Sequence, residues 1–154
     1  MNIDEVKDTF IRFYFDEMDL SDFERLIHSE KAVENLVGKD EFWELINTDF
    51  SSKDGVYVAK KILGEAYERA THETVFHGRA RSVAKGILAG LVSLDAGCRI
   101  LAALSVDGSE FVPSVFVAYS DEFDRLPPNV AMDAYKERVL NDVKTMLAGL
   151  RNRS

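Results

Sequence analysis

The segment HETVFH, residues 72–77, is the stretch of this sequence closest to a metal-binding motif. A helical zinc site of this kind needs two histidines four residues apart, so that both imidazole rings face one ion. His72 and His77 are five residues apart, which on a helix separates the two rings by about 140°. Since no third ligand is evident, we expect no metal and no other cofactor, and a metal-dependent hydrolase built on His72, Glu73 and His77 is only the enzymatic alternative.

Nucleophilic and acid–base catalysis find little support elsewhere in the chain. Cys98 is the single cysteine and shares a helical face with Leu94 and Leu101, which predicts a buried thiol. The sequence contains no G-x-S-x-G elbow, no P-loop and no G-x-G-x-x-G loop. The adjacent acids Asp121 and Glu122 lie far from every histidine in sequence. We therefore expect no catalytic residues and no enzymatic activity.

The bulk properties are those of one ordinary globular domain, residues 1–154. Hydrophobic residues make up 46% of the chain and charged residues 30%, which is enough apolar surface to fold without disulfides or metals. A lone cysteine suits a reducing compartment. The acidic start MNIDEVKDTF has no apolar core of a signal peptide, and no apolar run approaches the roughly 20 residues of a membrane span. These features predict a cytoplasmic protein.

The apolar periodicity predicts a mainly α-helical fold with seven or eight helices. An acidic helical part covers residues 1–70 and a second helical part covers 74–150. The second helix is predicted to open on a capping box formed by Ser21 and Glu24. The β-rich run FVPSVFVAY, 111–119, is predicted to be an extended segment or edge strand because Pro113 interrupts it. Pro127 and Pro128 exclude a helix across that point.

The net charge of −8 is unevenly distributed. Residues 1–50 contain 14 acidic and 5 basic residues, a net of −9, whereas the remainder has a net of +1. Such a field repels nucleic acids and anionic membranes and attracts basic proteins. Dense carboxylates at Asp16, Glu17, Asp19 and Asp22 have little local use, which indicates a partner-binding surface, although a solvated acidic surface explains them equally well.

The segment FVAYSDEFDRLP, 116–127, places three carboxylates beside an apolar run. Arg99 is predicted to pair with Glu122 or Asp124 and to fix this segment over the core, with a buried carboxylate as its partner. We favour Glu122 for that structural role. Asp121 and Asp124 are then left to face a binding partner.

Two stretches, 22–63 and 97–127, resemble a family of small bacterial proteins that confer immunity to polymorphic or contact-dependent growth inhibition toxins. In the first stretch the matching positions are Leu36, Gly38, Phe42, Leu45, Ile46, Asp49, Phe50 and Lys60 to Leu63. In the second they are Gly97, Cys98, Arg99, Leu101, Phe116, Glu122, Asp124, Leu126 and Pro127. Ser120 and Asp121 stand in the reverse of the Asp-Ser order that is usual in the family.

The resemblance implies a cytoplasmic inhibitor that binds the C-terminal domain of a cognate toxin. Combined with the acidic first third, it leads us to expect a basic nuclease as that toxin, whose active-site cleft the carboxylates would occlude in place of substrate phosphates. The alternative is an adaptor or regulatory protein-binding module without a toxin partner, which would show the same acidity.

Overall fold

The computed structural model describes residues 1–107, 111–125 and 132–151, apart from the side chains of Met132 and Arg151. This part of the chain is helical, and no strand occurs in it. The helices are α1 Ile3–Tyr14, α2 Leu20–Ser29, α3 Lys31–Val37, α4 Lys39–Ile46, α5 Lys53–Thr71, α6 Val75–Leu88, α7 Leu94–Val106, α8 Val115–Arg125 and α9 Met132–Arg151. The predicted mainly α fold is confirmed. In the described ranges no helix is long and apolar enough to cross a membrane.

The chain divides into two compact units, Met1–Val75 and Phe76–Ser154. The first contains α1 to α5, and the second contains nearly all of α6 together with α7 to α9. That the two helical parts form a single domain stays a prediction from the sequence.

The core of the first unit is built around a cluster of phenylalanines. The rings of Phe13 and Phe23 stack with centroids 3.9 Å apart, and Phe50 meets both edge-on. Phe13 and Phe23 are almost completely buried, and with Phe10 they are the largest fully buried side chains of this unit. The α5 helix packs against α1, α3 and α4 and thereby holds these shorter helices together.

Side chains cap the start of two helices, and one predicted cap is wrong. The predicted capping box of Ser21 and Glu24 is wrong, because α2 already begins at Leu20 and its N-cap, Asp19, makes no side-chain cap bond. A capping box instead starts α1, where Asn2 accepts from the Glu5 amide and Glu5 accepts from the Asn2 amide. The α5 helix begins with a serine cap, since the Gly55 amide donates to Ser52 Oγ at 2.9 Å.

The second unit corrects the prediction for 111–119, because residues 115–125 form helix α8 rather than a strand. Pro113 precedes the helix, where a missing amide proton costs little, and its carbonyl accepts from the Phe116 amide. Phe116, Tyr119 and Phe123 recur at helical spacing, the first two are buried, and α8 packs along α7. The gain from burying these aromatic side chains therefore outweighs the preference of the residue types for a strand.

The predicted core position of Cys98 is confirmed. Its side chain on α7 is fully buried, next to the equally buried Leu101. Burial, reinforced by the charge of Asp95, raises the pKa of the thiol to about 11. The expectations for Leu126, Pro127 and Pro128 fall outside the described residues.

Candidate protein-binding surface

Four of the acidic residues of the first unit lie together around the turn from α1 to α2. We call Asp16, Glu17, Asp19 and Asp22 the acidic corner. They line one surface depression with Arg12 and Met18. The turn is tight because Asp16 takes a left-handed backbone conformation, with φ 59°, and the Glu17 amide donates to the Arg12 carbonyl at 2.7 Å. The clustering predicted from the sequence is therefore present in space.

The corner carboxylates remain on the surface, although Asp16 and Asp22 have basic neighbours. Asp16 accepts from Lys60 Nζ at 2.7 Å while its side chain stays 74% exposed. Asp22 lies 3.6 Å from Arg25 in an i, i+3 pair that is also largely exposed. Pairs at this exposure are screened by water, so they reduce the negative potential of the corner without removing it.

A second surface, which sequence reasoning missed, lies between the end of α4 and the start of α5. Its residues form an open groove, the Trp43 groove, and they are Trp43, Glu44, Asn47, Thr48, Asp49, Asp54, Gly55 and Val58. The only tryptophan of the chain, Trp43, is 68% exposed here, and Tyr57 on the adjoining turn of α5 is 71% exposed.

Trp43 lies outside the buried face of α4, although it stands among the apolar residues of this helix in sequence. The buried face of this helix is carried by Leu45, which is fully buried, and by the half-buried Phe42 and Ile46. Consecutive side chains on a helix point about 100° apart, so Trp43 lies outside the face that its neighbour Phe42 occupies. The sequence alone does not show whether a tryptophan next to aromatic core residues is buried or exposed.

The loop between α4 and α5 is shaped by short polar contacts. Asn47 Nδ2 donates to the Trp43 carbonyl at 2.8 Å, and Thr48 Oγ1 donates to the Glu44 carbonyl at 2.9 Å. Asp49 accepts from the Oγ and the amide of Ser51 at 2.5 and 2.9 Å. These bonds, the side-chain one first, lower the pKa of Asp49, which keeps this rim carboxylate charged.

The α5 backbone approaches this loop more closely than a side chain would allow. A Cβ atom at Gly55 would lie 1.9 Å from the Asp49 carbonyl oxygen and 2.8 Å from its carbonyl carbon. Only glycine fits at this position without a shift of the backbone, and the close approach brings the start of α5 against the loop that carries Asp49.

The carboxylates of α8 flank its aromatic stripe, which explains why they follow an apolar run. At 100° per residue, Glu122 lies about 60° to one side of the stripe, Asp124 about 80° to the other side, and Asp121 on the outer face. Glu122 accepts from Tyr135 Oη of α9 at 2.6 Å, and Asp124 accepts from Arg99 Nη2 of α7 at 2.8 Å. Each flanking acid thus joins α8 to a different helix.

These contacts revise the expected role of Arg99. Of its two candidate partners the arginine pairs with Asp124, and Glu122, favoured from the sequence, keeps a structural contact with Tyr135 instead. The expectation that Arg99 pairs with a buried carboxylate is wrong, because the Arg99 and Asp124 side chains are 53% and 60% exposed. The bond to Asp124 raises the pKa of Arg99. Asp124 is therefore engaged within the chain, whereas Asp121 is exposed on the outer face.

The tyrosines between α8 and α9 form a partly buried polar layer. Tyr119 donates a short hydrogen bond to Asp142, and the Tyr119 and Tyr135 rings meet edge-on with centroids 5.8 Å apart. Burial, followed by the bond to Asp142, raises the pKa of Tyr119 to about 12, and burial with the Glu122 bond also raises the pKa of Tyr135. Sequence analysis did not identify this layer, since its partners are 13 and 23 residues apart.

Residues of the HETVFH segment, 72–77, contribute to a helix end and to buried packing. His72 ends α5 in a left-handed conformation, and the buried Glu73 accepts from Tyr67 Oη at 3.0 Å. His77 is buried in the second unit against the Phe111 ring, with centroids 4.6 Å apart. Among the described side chains no group of three or more His, Cys, Asp or Glu is arranged to hold a metal ion.

Comparisons with models of protein families, with curated proteins and with solved structures gave no match. The likeness to toxin-immunity proteins therefore rests on the sequence motifs alone.

Proposed function

We propose that this chain is a cytoplasmic immunity protein that binds and neutralises a cognate bacterial toxin domain, with the acidic corner as its docking surface for a basic nuclease. The observation that carries the proposal is the exposure of four clustered carboxylates on a unit whose 18 acidic and 9 basic residues give it a net charge of −9. Asp121, exposed on α8, is a further candidate contact, and Asp124 is a weaker one because it already pairs with Arg99.

The mechanism is occlusion rather than chemistry. A nuclease cleft is lined with cations that bind phosphates, and carboxylates grouped at one turn satisfy the same cations. Complementary charge accelerates the encounter, while desolvated aromatic contacts slow dissociation. Inhibition by this route needs a stable stoichiometric complex and no turnover by the immunity protein.

The decisive experiment is co-expression with the C-terminal domain encoded by the neighbouring toxin gene, with growth as the readout. Rescue of growth together with a stoichiometric complex of the two purified proteins supports the proposal. Growth arrest that persists while this chain is expressed and folded contradicts it, and favours an adaptor that binds another protein.

The docking surface is tested by reversing charge at the corner. Asp16→Lys, Asp19→Lys and Asp22→Lys together are expected to slow association with the toxin domain by about tenfold or more and to flatten its dependence on salt. The matched control reverses three exposed acids of the second unit, Asp107, Asp133 and Glu137, which changes the net charge equally. Equal association rates for the two triple variants would exclude the corner as the docking surface while leaving the immunity function intact.

A further inference from the structure

We propose that the Trp43 groove is a second docking site, which takes a protein segment presenting an arginine beside an apolar side chain. The indole of Trp43 supplies an exposed aromatic face, and Val58, 36% exposed, supplies an apolar wall. Glu44, Asp49 and Asp54 add three carboxylates to the lining, and none of the described Lys or Arg residues lines this groove. The inference rests on the proposed function only for the identity of the partner.

The charge pattern of the groove selects the occupant. Glu44, Asp49 and Asp54 form no ion pair within the described residues, and all three are exposed. The carboxylates around this apolar groove disfavour an acidic segment. A purely apolar segment would leave the charge of these carboxylates unneutralised. An arginine matches both features, because its guanidinium stacks on an indole face and bonds to a carboxylate in its own plane.

The geometry of the loop supports a preformed site. Asp49 is held by two hydrogen bonds from Ser51, and Asn47 and Thr48 are tied back to α4 carbonyls. The Gly55 approach fixes the start of α5 against the same loop. A segment that docks here would therefore meet the Asp49 carboxylate already in position, which limits the entropy lost on binding. Tryptophan at the centre of such a site is the residue type that most often dominates binding energy.

The groove carries its own reporter, because Trp43 is the only tryptophan in the chain. The probe is a short capped peptide in which arginine and leucine are separated by serine and glycine. We expect it to shift Trp43 emission to shorter wavelength and to protect the indole from acrylamide. A matched peptide with glutamate in place of arginine should leave emission and quenching unchanged, and one with serine in place of leucine should bind more weakly.

Variants separate this site from general attraction to an acidic protein. Asp54→Asn is expected to weaken binding of the arginine peptide by about two- to fivefold, the range for one exposed charge pair. The control Glu65→Gln removes an equally exposed carboxylate further along α5 and should keep the affinity within about twofold of wild type. By calorimetry, Trp43→Ala is expected to weaken binding by about 30-fold, typical of a dominant interface residue. Since this side chain is exposed, the variant should keep the wild-type circular dichroism.

Three results would overturn the inference. The first is Trp43 quenching that the arginine peptide does not change. The second is equal affinity of the peptide for wild type and Trp43→Ala. The third is protection of Trp43 that grows with protein concentration alone, which would assign the groove to a second copy of this chain. These outcomes are distinct from a failure of toxin neutralisation, which is read from growth and does not involve the peptide.

Discussion

Replacing Gly55 with alanine tests the close contact that shapes the Trp43 groove. In a helix this change normally stabilises a protein, by up to about 1 kcal/mol, because alanine has the higher helix propensity. Here the new Cβ would lie 1.9 Å from the carbonyl oxygen of Asp49. That oxygen belongs to the backbone, so the clash can be relieved only by moving the loop or the first turn of α5.

The expected loss in the free energy of unfolding follows from the interactions that this movement disturbs. Steric overpacking of a fixed site costs about 1–3 kcal/mol. The Asp49 carbonyl also accepts from Ser52 Oγ at 3.1 Å, and Ser52 Oγ in turn caps α5 through the Gly55 amide. Loss of an N-cap costs about 1 kcal/mol. After the propensity gain is subtracted, Gly55→Ala should lower the free energy of unfolding by about 2 kcal/mol.

The assay is urea unfolding followed by helical circular dichroism and by Trp43 emission. Gly64→Ala is the matched control on the same helix, because its Cβ would meet only the Tyr14 ring, at an ordinary 3.4 Å. This control should change stability by less than about 1 kcal/mol, in the stabilising direction. A Gly55→Ala protein as stable as Gly64→Ala would refute the close approach of α5 to the loop, and with it the shape of the groove.

Three further predictions concern the second unit. Arg99→Ala should lower the melting temperature only slightly, and not at all in high salt, since water screens the exposed pair with Asp124; a large loss that persists in high salt would place this pair in the core. Cys98 should react with thiol reagents far more slowly in native protein than in urea, because the thiol is buried and its pKa is raised to about 11; similar rates in both states would contradict its burial. The stabilisation from the neutral Tyr119 phenol should be complete below pH 10, its ordinary pKa, and be lost as the pH rises through its folded value of about 12. Tyr119→Phe should therefore make stability less dependent on pH across this window, and an unchanged slope would show that Tyr119 does not titrate with folding.

Much of the helical framework could be predicted because it depends on neighbours in sequence. Apolar residues three and four positions apart mark the buried faces, and Gly38, Gly90 and Ser52 lie at or just beyond helix ends, where their residue types are favoured. The failure at α8 has a physical cause. Its residue types favour strands and Pro113 precedes it, but Phe116 and the half-buried Phe123 share a face with the buried Tyr119 only when the segment is helical.

The features of the candidate sites likewise divide into those set by the local sequence and those set by tertiary packing. The sequence by itself determined the helical class, the acidic excess of the first third and the grouping of Asp16 to Asp22 at one turn, because composition and short-range spacing carry that information. Only the tertiary structure decided that Trp43 faces outward, that Arg99 meets Asp124 instead of Glu122, and that α5 closes on Asp49 to form a groove. These outcomes depend on which helix faces which, and packing between helices distant in sequence selects among contacts that local preference leaves equal.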